Sequence, residues 1–86
     1  QIRPRSGLAL KHGFLIPNAP GTVDEDYRGV VMVGLYYVGD APFVMRHGDR
    51  IAQAVIAQVQ QYDCVEVDAL SDTTRGGGGF GSTGLK

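Results

Sequence analysis

Eighty-six residues with eight Lys and Arg against nine Asp and Glu, a formal charge of -1, allow one small domain and exclude a doubly wound dinucleotide fold, a kinase or an α/β barrel on size. A chain that is 43% hydrophobic and 20% charged has the make-up of a folding domain, and without a global basic field any anion must be met by individually placed arginines. Cys64 is the only cysteine, which excludes an internal disulfide and fits a reducing compartment; no apolar run approaches membrane-spanning length and no leader pattern opens the sequence, so neither a membrane nor a nucleic acid is an expected partner.

In chain order, Gly13-Phe14-Leu15-Ile16 is a short apolar run expected as a strand, closed by Pro17-Asn18-Ala19-Pro20-Gly21, whose two prolines and glycine force a turn. Gly29 to Val38 reads GVVMVGLYYV, dense in β-branched and aromatic residues, and predicts a buried strand, so Phe14 to Val33 reads as strand, turn, strand. Pro42 to Met45 is a further short strand candidate, ended by His47-Gly48-Asp49. Ile51 to Gln60 fits both a helical stripe and one face of a strand; Ala and Gln favour helix, but its short, turn-bounded neighbours favour strand, the reading adopted. Cys64-Val65-Glu66-Val67 alternates and suits a last strand, after which the hydrophobic pattern stops at Leu70. The expected organisation is all-β: a body over residues 1–70 and a flexible glycine-rich arm over 71–86. A β-domain this small buries a limited core, so oligomerisation or further sequence is expected to supply the rest.

Six of the thirteen glycines fall between Gly76 and Gly84. Gly76, Gly78 and Gly81 satisfy G-x-G-x-x-G, but that fingerprint needs a helix after it and only five residues follow Gly81; a Walker A loop needs a lysine where Ser82 stands. The segment still offers Arg75 for charge, freely approachable backbone N–H groups, the hydroxyls of Ser82 and Thr83, and the flat face of Phe80. It reads either as a cover for a phosphorylated aromatic ligand or as a disordered terminus.

Four segments carry a family resemblance: Arg3-Pro4-Arg5-Ser6-Gly7-Leu8-Ala9, Gly21-Thr22-Val23-Asp24-Glu25-Asp26-Tyr27-Arg28-Gly29, Gly48-Asp49-Arg50-Ile51-Ala52-Gln53 and Arg75-Gly76-Gly77-Gly78-Gly79-Phe80-Gly81-Ser82-Thr83-Gly84. In order and spacing they resemble the second to fifth motifs of the trimeric deoxyuridine triphosphatases (dUTPases). Two departures stand out: the family's first motif has no counterpart, so the chain looks like the C-terminal part of a longer enzyme, and Val30 follows Tyr-Arg-Gly where the family usually has a polar or acidic residue.

The resemblance implies a jelly-roll-like all-β subunit, a homotrimer with active sites shared between chains, and hydrolysis of dUTP to dUMP and pyrophosphate with Mg2+ held by phosphate oxygens and waters. It implies that Asp24 activates the attacking water and that Tyr27 packs against the sugar, leaving no room for a 2′-hydroxyl. Asp24 and Tyr27 would lie on opposite faces of a strict strand, so the backbone between them is expected to leave the extended path. Asn18, Gly21, Thr22 and Val23, with Met32 on the returning strand, match the uracil-reading hairpin. Arg5, Ser6, Gln53, Arg75, Ser82 and Thr83 match triphosphate contacts, Gly7 and Gly81 match substrate-binding positions, and Phe80 matches a ring stacked on uracil. Asp49 and Arg50 are expected to form structural ion pairs at the subunit boundary. The alternatives are a catalytically incomplete fragment acting as a nucleotide-binding or interaction module, and the related deoxycytidine triphosphate deaminases, whose likeness to the glycine-rich segment is poor.

Overall fold

Gly13 organises the first ordered unit. In the computed structural model, which describes residues 1–86, the chain enters along β1 (Ile2–Arg3) and winds into the seven-residue helix α1 (Ser6–His12) after an extended Arg5. Leu8, Ala9, Leu10 and Lys11 are good helix formers, and Lys11 and His12 in the last turn suit the negative end of the helix dipole. The helix stops at Gly13, whose left-handed φ of 77° costs a glycine little and lets its N–H return to the Ala9 carbonyl at 3.1 Å. A Cβ at this position would lie 3.2 Å from the Gly39 nitrogen, so the same glycine lets two backbone segments approach and accepts the Val38 N–H at 2.9 Å.

Beyond the cap, β2 (Phe14–Leu15) pairs antiparallel with β3 (Tyr36–Tyr37), Phe14 opposite Tyr37 and Leu15 opposite Tyr36. A second antiparallel pair joins β1 to β4 (Gln53–Ala54), with Ile2 opposite Ala54 and Arg3 opposite Gln53. Ile2 also bridges Gly21, through N–H···O bonds of 2.7 and 2.8 Å, so β1 is hydrogen-bonded on both edges. The small core gathers at β2, where Phe14 and Ile16 are buried. Phe14 stacks on Tyr37 at 4.6 Å and meets Phe43 edge-on at 5.1 Å, while His12 tilts against Phe43.

The chain as a whole spreads as a plate of 54 × 39 × 17 Å. Its radius of gyration is 19.3 Å, against about 12 Å for a compact domain of this length, and it exposes 8406 Å² where about 4,900 Å² is usual. This overturns the expectation of a buried strand over Gly29–Val38: only Tyr36–Tyr37 is paired, and Val30 and Met32 are 77% and 78% exposed. Pro42–Met45 and Cys64–Val67 form no strand either, and within Ile51–Gln60 only Gln53–Ala54 does. The physical reason is shared. A strand needs a bonded neighbour and a covering layer, and neighbours occur only in the two strand pairs and at the Ile2–Gly21 bridge. α1 is an addition to the sequence reading; otherwise the chain is mostly non-helical with small antiparallel sheets, compatible with an all-β architecture. No helix is long and apolar enough to cross a membrane.

Candidate functional site

Three of the singled-out segments converge on β1. Gly21 is buried against Ile2, and a Cβ there would lie 3.2 Å from the Asn18 side-chain nitrogen and 3.6 Å from the Ile2 Cβ, so the hairpin base closes on a residue without a side chain. The Pro17–Asn18 turn ahead of it is closed by the Ala19 N–H on the Ile16 carbonyl at 3.0 Å. On the other edge of β1, the Gln53 side-chain amide donates to the Pro4 carbonyl at 2.8 Å, and the Arg5 guanidinium donates to the Arg50 carbonyl at 2.9 Å. Ser6 and Gly7 follow as the exposed first turn of α1. A hollow of ≈ 390 Å³ opens at this junction, walled by Arg3, Pro4, Ala19, Pro20 and Gln53 among others. A second of ≈ 360 Å³ takes in Arg5, Leu8, Phe43 and Arg50.

From Gly21 the chain runs out through Thr22 and Val23, both exposed, to Asp24, and there it turns. The Tyr27 N–H donates to the Asp24 carbonyl at 3.1 Å, with Glu25 and Asp26 at the turn's apex. The backbone thus leaves the extended path between Asp24 and Tyr27. Arg28 braces the turn from beneath: its Nη1 donates to the Glu25 carbonyl at 2.8 Å and to the Tyr27 carbonyl at 3.1 Å. The Tyr27 hydroxyl donates to the Val30 carbonyl at 2.8 Å, folding the ring over Gly29, where a Cβ would lie 2.6 Å from the ring's Cζ. The Asp24 carboxylate and the Tyr27 ring are therefore carried exposed on one four-residue turn.

Other residues singled out from the sequence stay apart. Met32 is exposed, outside any paired strand. Arg75, Phe80, Gly81, Ser82 and Thr83 lie in a segment whose hydrogen bonds are all local, Thr73 to Gly76, Arg75 to Gly78, Gly79 to Ser82 and Gly81 to Gly84, with Phe80 fully exposed at φ 49°. Nothing bonds these residues to the Asp24 turn or to Arg5 within one copy of the chain. Asp49 accepts the Arg46 N–H at 2.9 Å and closes its own turn. No group of three or more His, Cys, Asp or Glu side chains comes together as a metal cage. Arg28 and the Pro4 and Arg50 carbonyls are participants that sequence reading missed; a lone base directly after an acidic turn was the one available signal.

The family model described as dUTPase matches residues 1–84. Among curated proteins, a deoxyuridine 5'-triphosphate nucleotidohydrolase of Dinoroseobacter shibae is 62% identical over 84 residues, covering 98% of this chain and 54% of that protein. Proteins of the same name from two strains of Caulobacter vibrioides are each 61% identical over 85 residues, 99% of this chain and 55% of theirs. The chain spans about half the length of the curated relatives it matches.

Proposed function

The chain belongs to the dUTPase family, and from that premise we propose that the protein hydrolyses dUTP to dUMP and pyrophosphate, clearing dUTP from the nucleotide pool and supplying dUMP. Water attacks the α-phosphorus, its proton passes to the Asp24 carboxylate, and pyrophosphate departs; a positioned base of this kind contributes roughly 10²–10⁴-fold. The observation that carries the reading is the braced turn with Asp24 and Tyr27 at its two ends, in a chain that matches the family over residues 1–84.

In this reading Tyr27 closes off the 2′ position of the sugar, and Asn18 through Val23, with Met32, read uracil by shape and backbone. Arg5, Ser6, Gly7 and Gln53 grip the triphosphate from the body. Residues 71–86 act as an arm over the 1–70 body, bringing Arg75, Gly81, Ser82 and Thr83 to the phosphates and Phe80 onto the base, a stacking contact of about 1–3 kcal/mol. Magnesium arrives with the triphosphate as part of the substrate; the side chains present do not themselves form a cage for it, and no step is assigned to the ion. The open faces that expose Val30, Met32, Ile56 and Val59 are covered in a homotrimer of jelly-roll-like subunits, where an arm separated from the Asp24 turn within one copy reaches the turn of another.

The test is dUMP release from dUTP, measured for the wild-type protein and for Asp24→Asn. Wild-type turnover that is lost in the variant, with a non-hydrolysable dUTP analogue still bound, supports the assignment. Retained turnover in the variant rejects Asp24 as the base. Analogue binding by a wild-type protein that releases no dUMP selects the nucleotide-binding module instead.

A further inference from the structure

We propose that Arg28 is a positioning residue, fixing the Asp24 carboxylate and the Tyr27 ring in one mutual arrangement; this rests on the dUTP-hydrolysing reading above. Burial does not hold the turn, because every residue from Thr22 to Met32 is exposed. One main-chain bond, Tyr27 N–H to the Asp24 carbonyl at 3.1 Å, closes it, and turns of this kind often dispense even with that bond. The Tyr27 hydroxyl bonds onward to the Val30 carbonyl, beyond the turn, and the side chain that bonds to carbonyls of the turn itself is Arg28. Its Nη1 carries two hydrogens and spends both, on the carbonyls of Glu25 and Tyr27. The first carbonyl belongs to the Glu25–Asp26 peptide at the apex and the second to the Tyr27–Arg28 peptide, so a single planar cation ties the apex of the turn to the backbone that leaves Tyr27.

The geometry also explains why a lysine is a poor substitute. A guanidinium holds its two hydrogens in a fixed plane, whereas an ammonium on a flexible stem has no preset fork. With Nη1 committed to the main chain, this pair of bonds acts through Asp24 and Tyr27, and the test separates that role from a phosphate contact made by Nη2 or Nε. Displacements of about 1 Å at a catalytic group cost on the order of 10²-fold in rate. Losing the brace therefore shows first in kcat and in sugar discrimination, and only later in nucleotide affinity.

The experiment compares wild type, Arg28→Met and Arg28→Lys in the full-length protein. It measures kcat and KM for dUTP, the ratio of dUTP to UTP turnover, the Kd of a non-hydrolysable dUTP analogue, the melting midpoint, and hydrogen exchange at the Tyr27 amide. The expected result for Arg28→Met is a kcat reduced ~10–100-fold by misplacement of the base, a lower dUTP/UTP ratio, faster exchange at Tyr27, and an analogue Kd and melting midpoint close to wild type. Arg28→Lys should recover little of either the rate or the ratio. Unchanged kcat, ratio and exchange overturn the proposal. A Kd that weakens in step with kcat overturns it in favour of a direct phosphate contact, and a lowered midpoint in both variants overturns it in favour of a purely structural role. Failure of the underlying reading is separately visible: Asp24→Asn then leaves turnover intact or the wild type has none, while Tyr27 exchange still reports whether Arg28 holds the turn.

Discussion

The Asp24–Tyr27 turn and the 73–84 segment are both exposed and both built from N–H to i−3 carbonyl bonds, yet they differ in bracing. Around the first, Arg28 and the Tyr27 hydroxyl reach back to three main-chain carbonyls. In the second, four of the residues are consecutive glycines and only the Thr73 hydroxyl bonds back to the main chain. Exposure alone therefore does not decide whether a loop has one shape; cross-bonds from its own side chains do. A braced loop suits the part of a site that must be set before substrate arrives, and an unbraced glycine-rich one suits a part that takes its shape around the substrate, at a backbone-ordering cost of about 1–2 kcal/mol per residue.

The contrast can be broken at several points, in descending order of effect. Asp24→Asn should lower kcat by roughly 10²–10⁴-fold with analogue binding kept, because it removes the acceptor and leaves the turn's bonds in place. Ending the chain after Thr74 should slow dUTP turnover on the order of 10²-fold through lost positioning of the triphosphate, with circular dichroism and the melting midpoint unchanged. A collapse of the fold instead would mean that the unbraced segment is architectural. Gly29→Ala should push the Tyr27 ring off its seat, and the ratio of dUTP to UTP turnover should fall about tenfold, within the 1–3 kcal/mol that shape discrimination commands. Gly13→Ala places a Cβ on a left-handed residue; it should cost about 1 kcal/mol in a denaturant titration while leaving kcat alone, since the helix cap lies away from the turn.

Local geometry was legible where residues are close in sequence. The turn at Pro17–Gly21 follows from proline and glycine, and the departure from strand between Asp24 and Tyr27 from side-chain direction taken together with the family resemblance. What escaped was set by distant or aperiodic contacts. β2 finds its partner at Tyr36–Tyr37, about twenty residues on, and nothing local in GVVMVGLYYV says which two of its residues will pair. Hydrophobicity in that run reports that the residues favour cover, without saying what supplies it, so a reading of burial within the chain went wrong. α1 is two turns long, too short for periodicity to reveal, although good helix formers followed by Gly13 were a usable signal. Arg28 acts through carbonyl oxygens, which every residue has, and such bonds leave no trace in composition.

Ile2 bonds to Gly21 on one side and lies opposite Ala54 on the other, while the next residue, Arg3, faces Gln53. This two-residue strand acts as a common axle. Under the proposed reading, in which Gln53 meets a phosphate and the hairpin based at Gly21 meets uracil, both would be mounted on this one strand, and a nucleotide too short to engage Gln53 would be expected to lose some of its fit at the base as well.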